Sequence, residues 1–265
     1  MSDPRELPFI RRLLPSGREI NLSALQDEIG IEPEELQIYV QRFEECGFVF
    51  GLTGETIRIL REPESLIPEL IMARLQTNRI GREISVLKET SSTNDRVRQA
   101  GMGKVREGLA IFAERQTDGR GTQGKKWISS AGAGLWFSIL LRSSINPDER
   151  TLLLKMAAVA SAEAIEPWVD RRIQIKPPND LYLEGGKFAG FLLETSNSWD
   201  FQVLGIGVNV RSAPAIDGFP TAAIDQYARN RISRNALAAS ILNHFESWYF
   251  GRSPGEISSA FDSRL

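Results

Sequence analysis

The strongest constraint on the fold is a series of strand-like segments that follow one another without a helix between them. Apolar residues concentrate at 173–176, 181–184, 188–194 and 201–210, and Gly185-Gly186 provides a tight turn between the second and third segments. Strands that lack an intervening helix pair as antiparallel neighbours. The sequence therefore predicts a mixed or antiparallel sheet rather than a doubly wound parallel sheet.

The remaining elements place this sheet in a predicted domain at 83–265. Two further strands are predicted at 108–113 and 135–141. Helices are predicted where the pattern is helical, at 93–101, 148–168, 221–228 and 233–250. The single histidine, His244, lies in the last of these helices, and the spacing of its apolar neighbours favours a packed histidine over a catalytic one.

The first 62 residues are predicted to form a separate domain. Short helices are expected at 9–14, 22–29 and 34–46, and alternating apolar residues around Thr53-Gly54 indicate a β-hairpin. Three helices followed by a β-ribbon resemble a winged helix-turn-helix. A connector at 63–82, with a helix at 65–75, joins the two domains, so the expected architecture is α+β.

Composition excludes several classes of protein. The formal net charge of −2 gives no overall attraction to nucleic acid or to anionic lipid. No apolar run approaches the roughly 20 residues that span a bilayer, and the first ten residues do not resemble a secretory signal. With one cysteine and one histidine, the chain cannot form an internal disulfide or a multi-histidine zinc site. These features predict a cytoplasmic protein without a membrane partner.

A glycine-rich segment matches the dinucleotide-binding pattern but lacks its context. Gly119, Gly121 and Gly124 have the G-x-G-x-x-G spacing and follow a predicted strand. No amphipathic helix follows them, and no acidic residue ends a second strand about 20 residues later. The segment is better interpreted as a loop that grips an anion through backbone N–H groups and nearby cations, namely Arg120, Lys125 and Lys126. A solvated glycine turn is the structural alternative.

Four short motifs occur in a fixed order: Ser-Ser-Thr-Asn at 91–94, QTDGRGTQGKKW at 116–127, KPPNDL at 176–181 with KFAG at 187–190, and GIGVNV at 205–210. Together they resemble the signatures of the biotin protein ligase family. The resemblance extends from about residue 85 to the end of the chain. It implies a catalytic domain of the mixed-sheet type shared by class II synthetases and lipoate ligases. Residues 1–60 also resemble, in general shape, the DNA-binding domain of the family's bifunctional repressor members.

The resemblance implies an ATP-dependent biotin–[acetyl-CoA-carboxylase] ligase, and the residues suit that chemistry. A carboxylate becomes reactive toward an amine when its oxygen joins the α-phosphate of ATP, and cations stabilise the crowded oxyanions. Candidate cations are Arg120, Lys125, Lys126, Lys176 and Lys187. Asp180, helped by Asn179, is the candidate ligand for Mg²⁺. The implied partners are biotin and the biotin carboxyl carrier protein of acetyl-CoA carboxylase.

By resemblance, Lys187 and Arg120 are the catalytic residues. The positions that match biotin contacts are Ser92, Thr93, Asn94, Gln116, Gly119, Arg120, Lys187, Gly190, Gly205 and Gly207. The positions that match ATP or adenylate contacts are Gly121, Thr122, Gly124, Lys125, Trp127, Lys176, Asn179 and Asn209. Structural alternatives stay open for several of them: a plain helix N-cap at 92–93, a solvated lysine at 187, and a β-bulge at 190, 205 or 207.

Three departures from the family pattern have predicted consequences. Thr122 replaces the second arginine of G-R-G-R and removes a charge from the loop that retains the adenylate. Pro177 replaces the tryptophan of K-W-P-N-D and removes a large ring and a backbone N–H donor. The chain ends at Leu265, where the family usually continues into a small β-barrel domain.

The first 64 residues carry seven Lys/Arg and thirteen Asp/Glu, which disfavours DNA binding because phosphate neutralisation supplies most non-specific affinity. Gln37, Gln41, Arg42 and Arg58 could still read bases.

Two alternative functions are open: a biotin-responsive winged-helix repressor with weak or no ligase activity, and a lipoate or octanoate ligase of the same fold. The sequence leaves homodimerisation open.

Overall fold

A computed structural model describes residues 3–103, 105–142, 147–196 and 198–265, although not the side chains of 147–149. The chain forms two compact units. The first ends at Arg74 and the second begins at Leu75, a boundary inside the predicted connector. None of the helices in the described ranges is long and apolar enough to cross a membrane.

The first unit contains four helices and a three-stranded antiparallel sheet. The helices are α1 (Glu6–Leu13), α2 (Leu22–Ile29), α3 (Pro33–Glu45) and α4 (Pro68–Met72). The strands are β1 (Ile20–Asn21), β2 (Val49–Thr53) and β3 (Thr56–Arg61), in the order β1-β3-β2. The three predicted helices and the hairpin are all present, whereas the predicted helix at 65–75 is limited to α4.

Local chemistry explains the ends of α2, and aromatic packing explains the core. The Asn21 side chain accepts a hydrogen bond from the Ala24 backbone N–H at 3.1 Å, which caps the start of the helix. Gly30 ends it in a left-handed conformation with φ 71°. Buried aromatic rings then join α1, α3 and the hairpin into one core: Phe9, Tyr39, Phe43, Phe48 and Phe50.

The second unit is built on a seven-stranded mixed sheet with the order β4-β5-β6-β10-β9-β8-β7. Its strands are β4 (Ile84–Thr90), β5 (Ala110–Gln116), β6 (Gly134–Leu141), β7 (Gln174–Lys176), β8 (Asp180–Leu183), β9 (Gly186–Glu194) and β10 (Gln202–Asn209). Only β4 and β5 pair in parallel; the other neighbours are antiparallel. The predicted mixed sheet is confirmed.

Helices pack on this sheet and bury its centre. They are α5 (Thr93–Gly101), α6 (Pro147–Ile165), α7 (Arg234–Gly251) and α8 (Pro254–Asp262). Helix α5 packs against β5, β6 and β10, whereas α6 packs against β8, β9, α7 and α8. Every residue of β6 is buried, so the centre of the sheet is covered on both faces.

In the second unit, one predicted helix is wrong, and one strand and one α-helix were missed. In place of the helix at 221–228 there is a single 3₁₀ turn at Ile224–Gln226. The backbone of this segment forms hydrogen bonds with β9, as a neighbouring strand would. The Lys187 N–H donates to the Pro220 carbonyl and the Ala222 N–H donates to the Lys187 carbonyl, both at 2.9 Å. Strand β4 and helix α8 were not among the predicted elements.

A buried carboxylate fixes the start of the second unit to α7. Glu246 accepts backbone hydrogen bonds from three successive residues, Asn78, Arg79 and Ile80, and the last two measure 2.8 and 2.7 Å. Only 9% of Glu246 is exposed. Without this carboxylate, three backbone N–H groups would lose their acceptor, and that of Ile80 is buried.

We therefore expect Glu246→Ala to lower the free energy of unfolding of the second unit by about 1–3 kcal/mol, because the buried Ile80 N–H and two part-buried N–H groups lose their acceptor. Urea denaturation followed by circular dichroism measures the change. Glu184→Ala is the matched control, since the Glu184 side chain is 57% exposed and its ion pair with Arg171 lies at the surface. Equal stability of the two variants would contradict the anchoring role of Glu246.

Candidate active site

The second unit contains a cavity between the start of α5, the 116–127 segment and one face of β8, β9 and β10. It encloses about 470 Å³, including space open to solvent. Among the described residues, its lining includes most of the positions predicted for the site: Ser92, Thr93, Asn94, Gln116, Arg120, Gly121, Thr122, Trp127, Asn179, Asp180, Lys187, Gly190, Gly205 and Gly207.

Two glycines on one face of β10 form the floor of the cavity. A Cβ at Gly205 would lie 2.4 Å from Asn94 Oδ1, and a Cβ at Gly207 would lie 2.5 Å from the Trp127 ring. Pairing of β10 with β6 and β9 runs through both positions without a register shift. The glycines therefore do not mark a β-bulge; they allow α5 and the indole to approach the strand.

Trp127 forms one wall of the cavity. Its ring also lies beside Gly190, where a Cβ would be 3.1 Å away, and it meets Trp136 edge-on at 6.3 Å between ring centroids. The Trp127 backbone N–H donates to the Gly119 carbonyl at 2.8 Å. Its indole N–H is buried and has no hydrogen-bond partner among the described residues. The wall is thus apolar, and its one donor is buried against Gly207.

A buried cluster of hydroxyl and amide groups lies at the α5 end of the cavity. Gln116 Oε1 accepts hydrogen bonds from the Thr93 backbone N–H at 2.8 Å and from Thr93 Oγ1 at 3.1 Å. Thr93 Oγ1 is also 2.7 Å from Ser138 Oγ, which donates to Asn94 Oδ1 at 2.6 Å. Ser138, on β6, was not predicted as a site residue because a single serine inside an apolar strand gives no distinctive sequence signal.

Ser92 and Thr93 do not act as a simple helix N-cap, which was the structural alternative for these residues. Ser92 occupies the N-cap position of α5 with extended backbone, but its side chain makes no capping hydrogen bond. Ser92 and Thr93 are each only 3% exposed. Their hydroxyls therefore contribute to the buried polar end of the cavity rather than to the helix terminus.

Arg120 reaches the cavity from the glycine-rich segment and is held by two carboxylates. Asp95 accepts from both terminal nitrogens at 2.9 and 2.8 Å, and Glu194 accepts from Nη2 at 3.2 Å. The hydrogen bond from Arg120 lowers the pKa of Asp95, and the same bond raises the pKa of Arg120. Neither carboxylate was predicted, although Asp95 directly follows the Ser-Thr-Asn motif.

Lys187 is the second cation of the cavity, and it is not a freely solvated lysine. Its Nζ lies 2.6 Å from Asp180 Oδ1 and 5.3 Å from the centre of the Trp127 ring. Asp180 was predicted to bind a metal, and it is ion-paired here. Within the described part of the chain, no group of three or more His, Cys, Asp or Glu side chains is arranged to hold a metal ion.

Five predicted site residues lie outside the lining of this cavity. Lys125 Nζ lies over the Phe219 ring at 5.6 Å, and Lys176 Nζ lies over the Tyr182 ring at 5.3 Å. Asn209 donates to the Ala222 carbonyl at 3.2 Å. The other two are glycines of the 116–127 segment: Gly119 and Gly124. The next regular element after the glycine-rich segment is strand β6 rather than a helix. A dinucleotide-binding site needs a helix at that point, so the structure agrees with the sequence-based rejection of such a site.

An arginine and a lysine that converge beside a buried polar pocket are suited to stabilising the negative charge that develops in acyl or phosphoryl transfer. The family model of the biotin/lipoate A/B protein ligases matches residues 86–210. A biotin–[acetyl-CoA-carboxylase] ligase of Mycobacterium tuberculosis is 32% identical over 199 residues, which cover 71% of this chain and 74% of that protein. The chain belongs to the biotin/lipoate A/B protein ligase family.

Two further relatives extend the similarity. A bifunctional ligase/repressor BirA of Bacillus subtilis is 28% identical over 245 residues, covering 88% of this chain and 75% of that protein. A solved biotin protein ligase of Aquifex aeolicus, in complex with biotin and ATP, superimposes with a TM-score of 0.60 at 28% identity. That match covers 69% of this chain and 78% of the Aquifex chain.

We expect Gly207→Ala to lower the free energy of unfolding by about 1–3 kcal/mol and to change the near-ultraviolet circular dichroism, because the new methyl group displaces the Trp127 ring. Urea denaturation measures the first effect. Gly251→Ala is the control, since nothing lies within 4 Å of a Cβ built at that helical position. A Gly207→Ala protein with the stability and spectrum of the control would contradict the packing of Trp127 on β10.

Proposed function

We propose that this protein activates biotin with ATP, forming biotinyl-5′-AMP and pyrophosphate, and then transfers biotin to a lysine of a biotin carboxyl carrier domain. The observation that carries the proposal is the convergence of Arg120 and Lys187 on one cavity with a buried polar end. The names of the relatives agree with it, since the Mycobacterium tuberculosis and Aquifex aeolicus proteins are named as biotin ligases and the Bacillus subtilis protein as a bifunctional ligase/repressor. These names favour biotin over lipoate as the substrate, and they favour a ligase over a repressor that lacks ligase activity.

The first step joins the acid to the nucleotide. A carboxylate oxygen of biotin attacks the α-phosphorus of ATP, and pyrophosphate leaves with the electrons of the broken P–O bond. Two anionic groups must approach each other, so Arg120 and Lys187 reduce the repulsion and stabilise the developing charge. Both side chains are already oriented by carboxylates, Arg120 by Asp95 and Lys187 by Asp180.

The second step transfers the acyl group. The uncharged amine of the carrier lysine attacks the acyl carbon, AMP leaves, and the amine loses its proton. The adenylate has to be kept from water until the lysine arrives. The indole of Trp127 covers the floor strands at Gly190 and Gly207, so it excludes water on the side of the sheet.

We assign the buried polar cluster to the biotin rings. Ser92, Thr93, Asn94 and Gln116 offer hydroxyl and amide groups where the ureido ring needs both donors and acceptors. The glycines at 190, 205 and 207 allow Asn94 and Trp127 to lie against the backbone, and we assign the fused rings and the tail to the space beside these two side chains. Gly119 supports this arrangement indirectly, since its carbonyl accepts the Trp127 backbone N–H.

The nucleotide side is assigned to Gly121, Thr122, Trp127 and Asn179, with outer contacts from Gly124, Lys125, Lys176 and Asn209. The fit for Mg²⁺ is adequate because this ion is commonly held by one carboxylate together with substrate phosphates. Asp180 would supply that carboxylate through the oxygen that Lys187 does not occupy. When bound, Mg²⁺ would neutralise charge on the phosphate oxygens.

The proposed domains are a winged helix at 1–62, a connector at 63–82 and a catalytic domain at 83–265. Four arginines of the first domain form ion pairs with carboxylates: Arg5, Arg12, Arg42 and Arg58. This pairing leaves little charge to neutralise phosphates, so we propose that DNA binding is not the main role of the first domain.

We also propose a cytoplasmic location for the protein, and homodimerisation stays an open expectation.

Intact-mass analysis of a biotin carrier domain tests the function. With this protein, biotin and MgATP, the carrier is expected to gain one biotinyl group, whereas lipoate should give no comparable gain. Lys187→Gln should slow the reaction about 10²- to 10³-fold because it removes a cation from the developing oxyanion. Lys88→Gln, on the exposed surface of β4, is the control. A carrier that gains lipoyl but not biotinyl mass would contradict the proposed substrate.

Thr122→Arg tests the departure from the family pattern. Thr122 lines the cavity without carrying a charge, so we expect the arginine variant to release free biotinyl-adenylate about tenfold more slowly in the absence of acceptor. Release is measured by rapid filtration of radiolabelled adenylate. Thr122→Gln, which adds length without charge, is the control. Unchanged leakage in Thr122→Arg would show that this position does not set retention.

A further inference from the structure

Three hydrogen bonds from the guanidinium of Arg120 are divided unequally between two carboxylates. Asp95 takes the end of the guanidinium, where Nη1 donates at 2.9 Å and Nη2 donates at 2.8 Å. This is the bidentate geometry of a strong, charge-assisted pair. The two terminal nitrogens of the guanidinium therefore bind Asp95 of α5. Another anion can bind in a bidentate manner only along the side edge of the guanidinium, which is formed by Nε and Nη2.

Glu194 occupies half of that side edge. Its Oε1 accepts the second hydrogen of Nη2 at 3.2 Å, whereas Nε of Arg120 has no acceptor within the described part of the chain. The other oxygen of Glu194, Oε2, is buried and likewise has no hydrogen-bond partner among the described residues. A buried carboxylate oxygen without a donor is costly, so Glu194 is held in an incomplete set of interactions.

The two carboxylates differ in how firmly they are held. Asp95 makes two short bonds to Arg120 and a third contact, at 2.8 Å, to Arg98 one turn further along α5. Glu194, the last residue of β9, has a single and longer contact. Asp95 is thus the fixed support of Arg120, and Glu194 is the contact that can be exchanged at lower cost.

We propose that Glu194 is an internal competitor for the side edge of Arg120, which a ligand carboxylate or phosphate displaces to obtain its own bidentate contact, while Asp95 keeps the guanidinium in place. Glu194 and Asp95 are then positioning residues with opposite effects on ligand affinity. This inference rests on the proposed function for the identity of the acid, but it concerns any oxyanion that reaches Arg120.

Calorimetric titration with biotin and with biotinamide tests the competition, because the two ligands differ only in the charged group. Glu194→Gln keeps the shape of the side chain and removes its charge. It is expected to bind biotin about two- to fivefold more tightly, the range of a partly exposed ion pair, and to bind biotinamide unchanged. Asp95→Asn is expected to weaken biotin binding and to affect biotinamide less.

Glu89→Gln is the matched control, since it breaks an Arg–Glu pair of 2.8 Å with Arg115, outside the cavity. Weaker biotin binding by Glu194→Gln, or an equal change for both ligands, would overturn the competition and make Glu194 a structural support. If the unaltered protein does not bind biotin, the proposed function has failed, and lipoate with lipoamide then decides the role of Glu194 by the same comparison. Binding of neither acid overturns both proposals.

Discussion

The site depends on the absence of side chains at two positions of one strand. Residues two apart in a strand point to the same face, so Gly205 and Gly207 leave a smooth strip of backbone on β10. Asn94 fills the space above one glycine and Trp127 the space above the other. Helix α5 and the glycine-rich segment therefore reach the same face of the sheet, where the cavity lies between them.

That arrangement also determines the electrostatics. The glycine-rich segment brings Arg120 to one side of the cavity and β9 brings Lys187 to the other, and each cation is paired with a carboxylate. Paired cations are oriented before substrate arrives, so little reorganisation is needed during the reaction. An incoming anion has to compete with the carboxylates that already bind these cations. At Arg120, Glu194 is such a competitor, since it accepts a hydrogen bond from Nη2.

The sequence predicted the mixed sheet because its strands follow one another too closely for helices, and the ordered motifs predicted most of the cavity lining. It failed where long-range pairing overrides local pattern. The segment at 221–228 has helical spacing, yet its backbone bonds to Lys187. Asp95 and Glu194 are distant in sequence and converge only through the arginine between them. Ion pairs of this kind leave no periodic signal in a single sequence.

The central claim is that one oxyanion is held between Arg120 and Lys187 on the glycine floor of β10. A crystal structure with a non-hydrolysable analogue of biotinyl-5′-AMP measures this directly. We predict that the acyl-phosphate linkage lies within about 3.5 Å of nitrogen atoms of both cations, with the fused rings against Asn94 and Trp127, the side chains that cover Gly205 and Gly207. An analogue that contacts only one of the two cations, or that lies outside this cavity, would contradict the account.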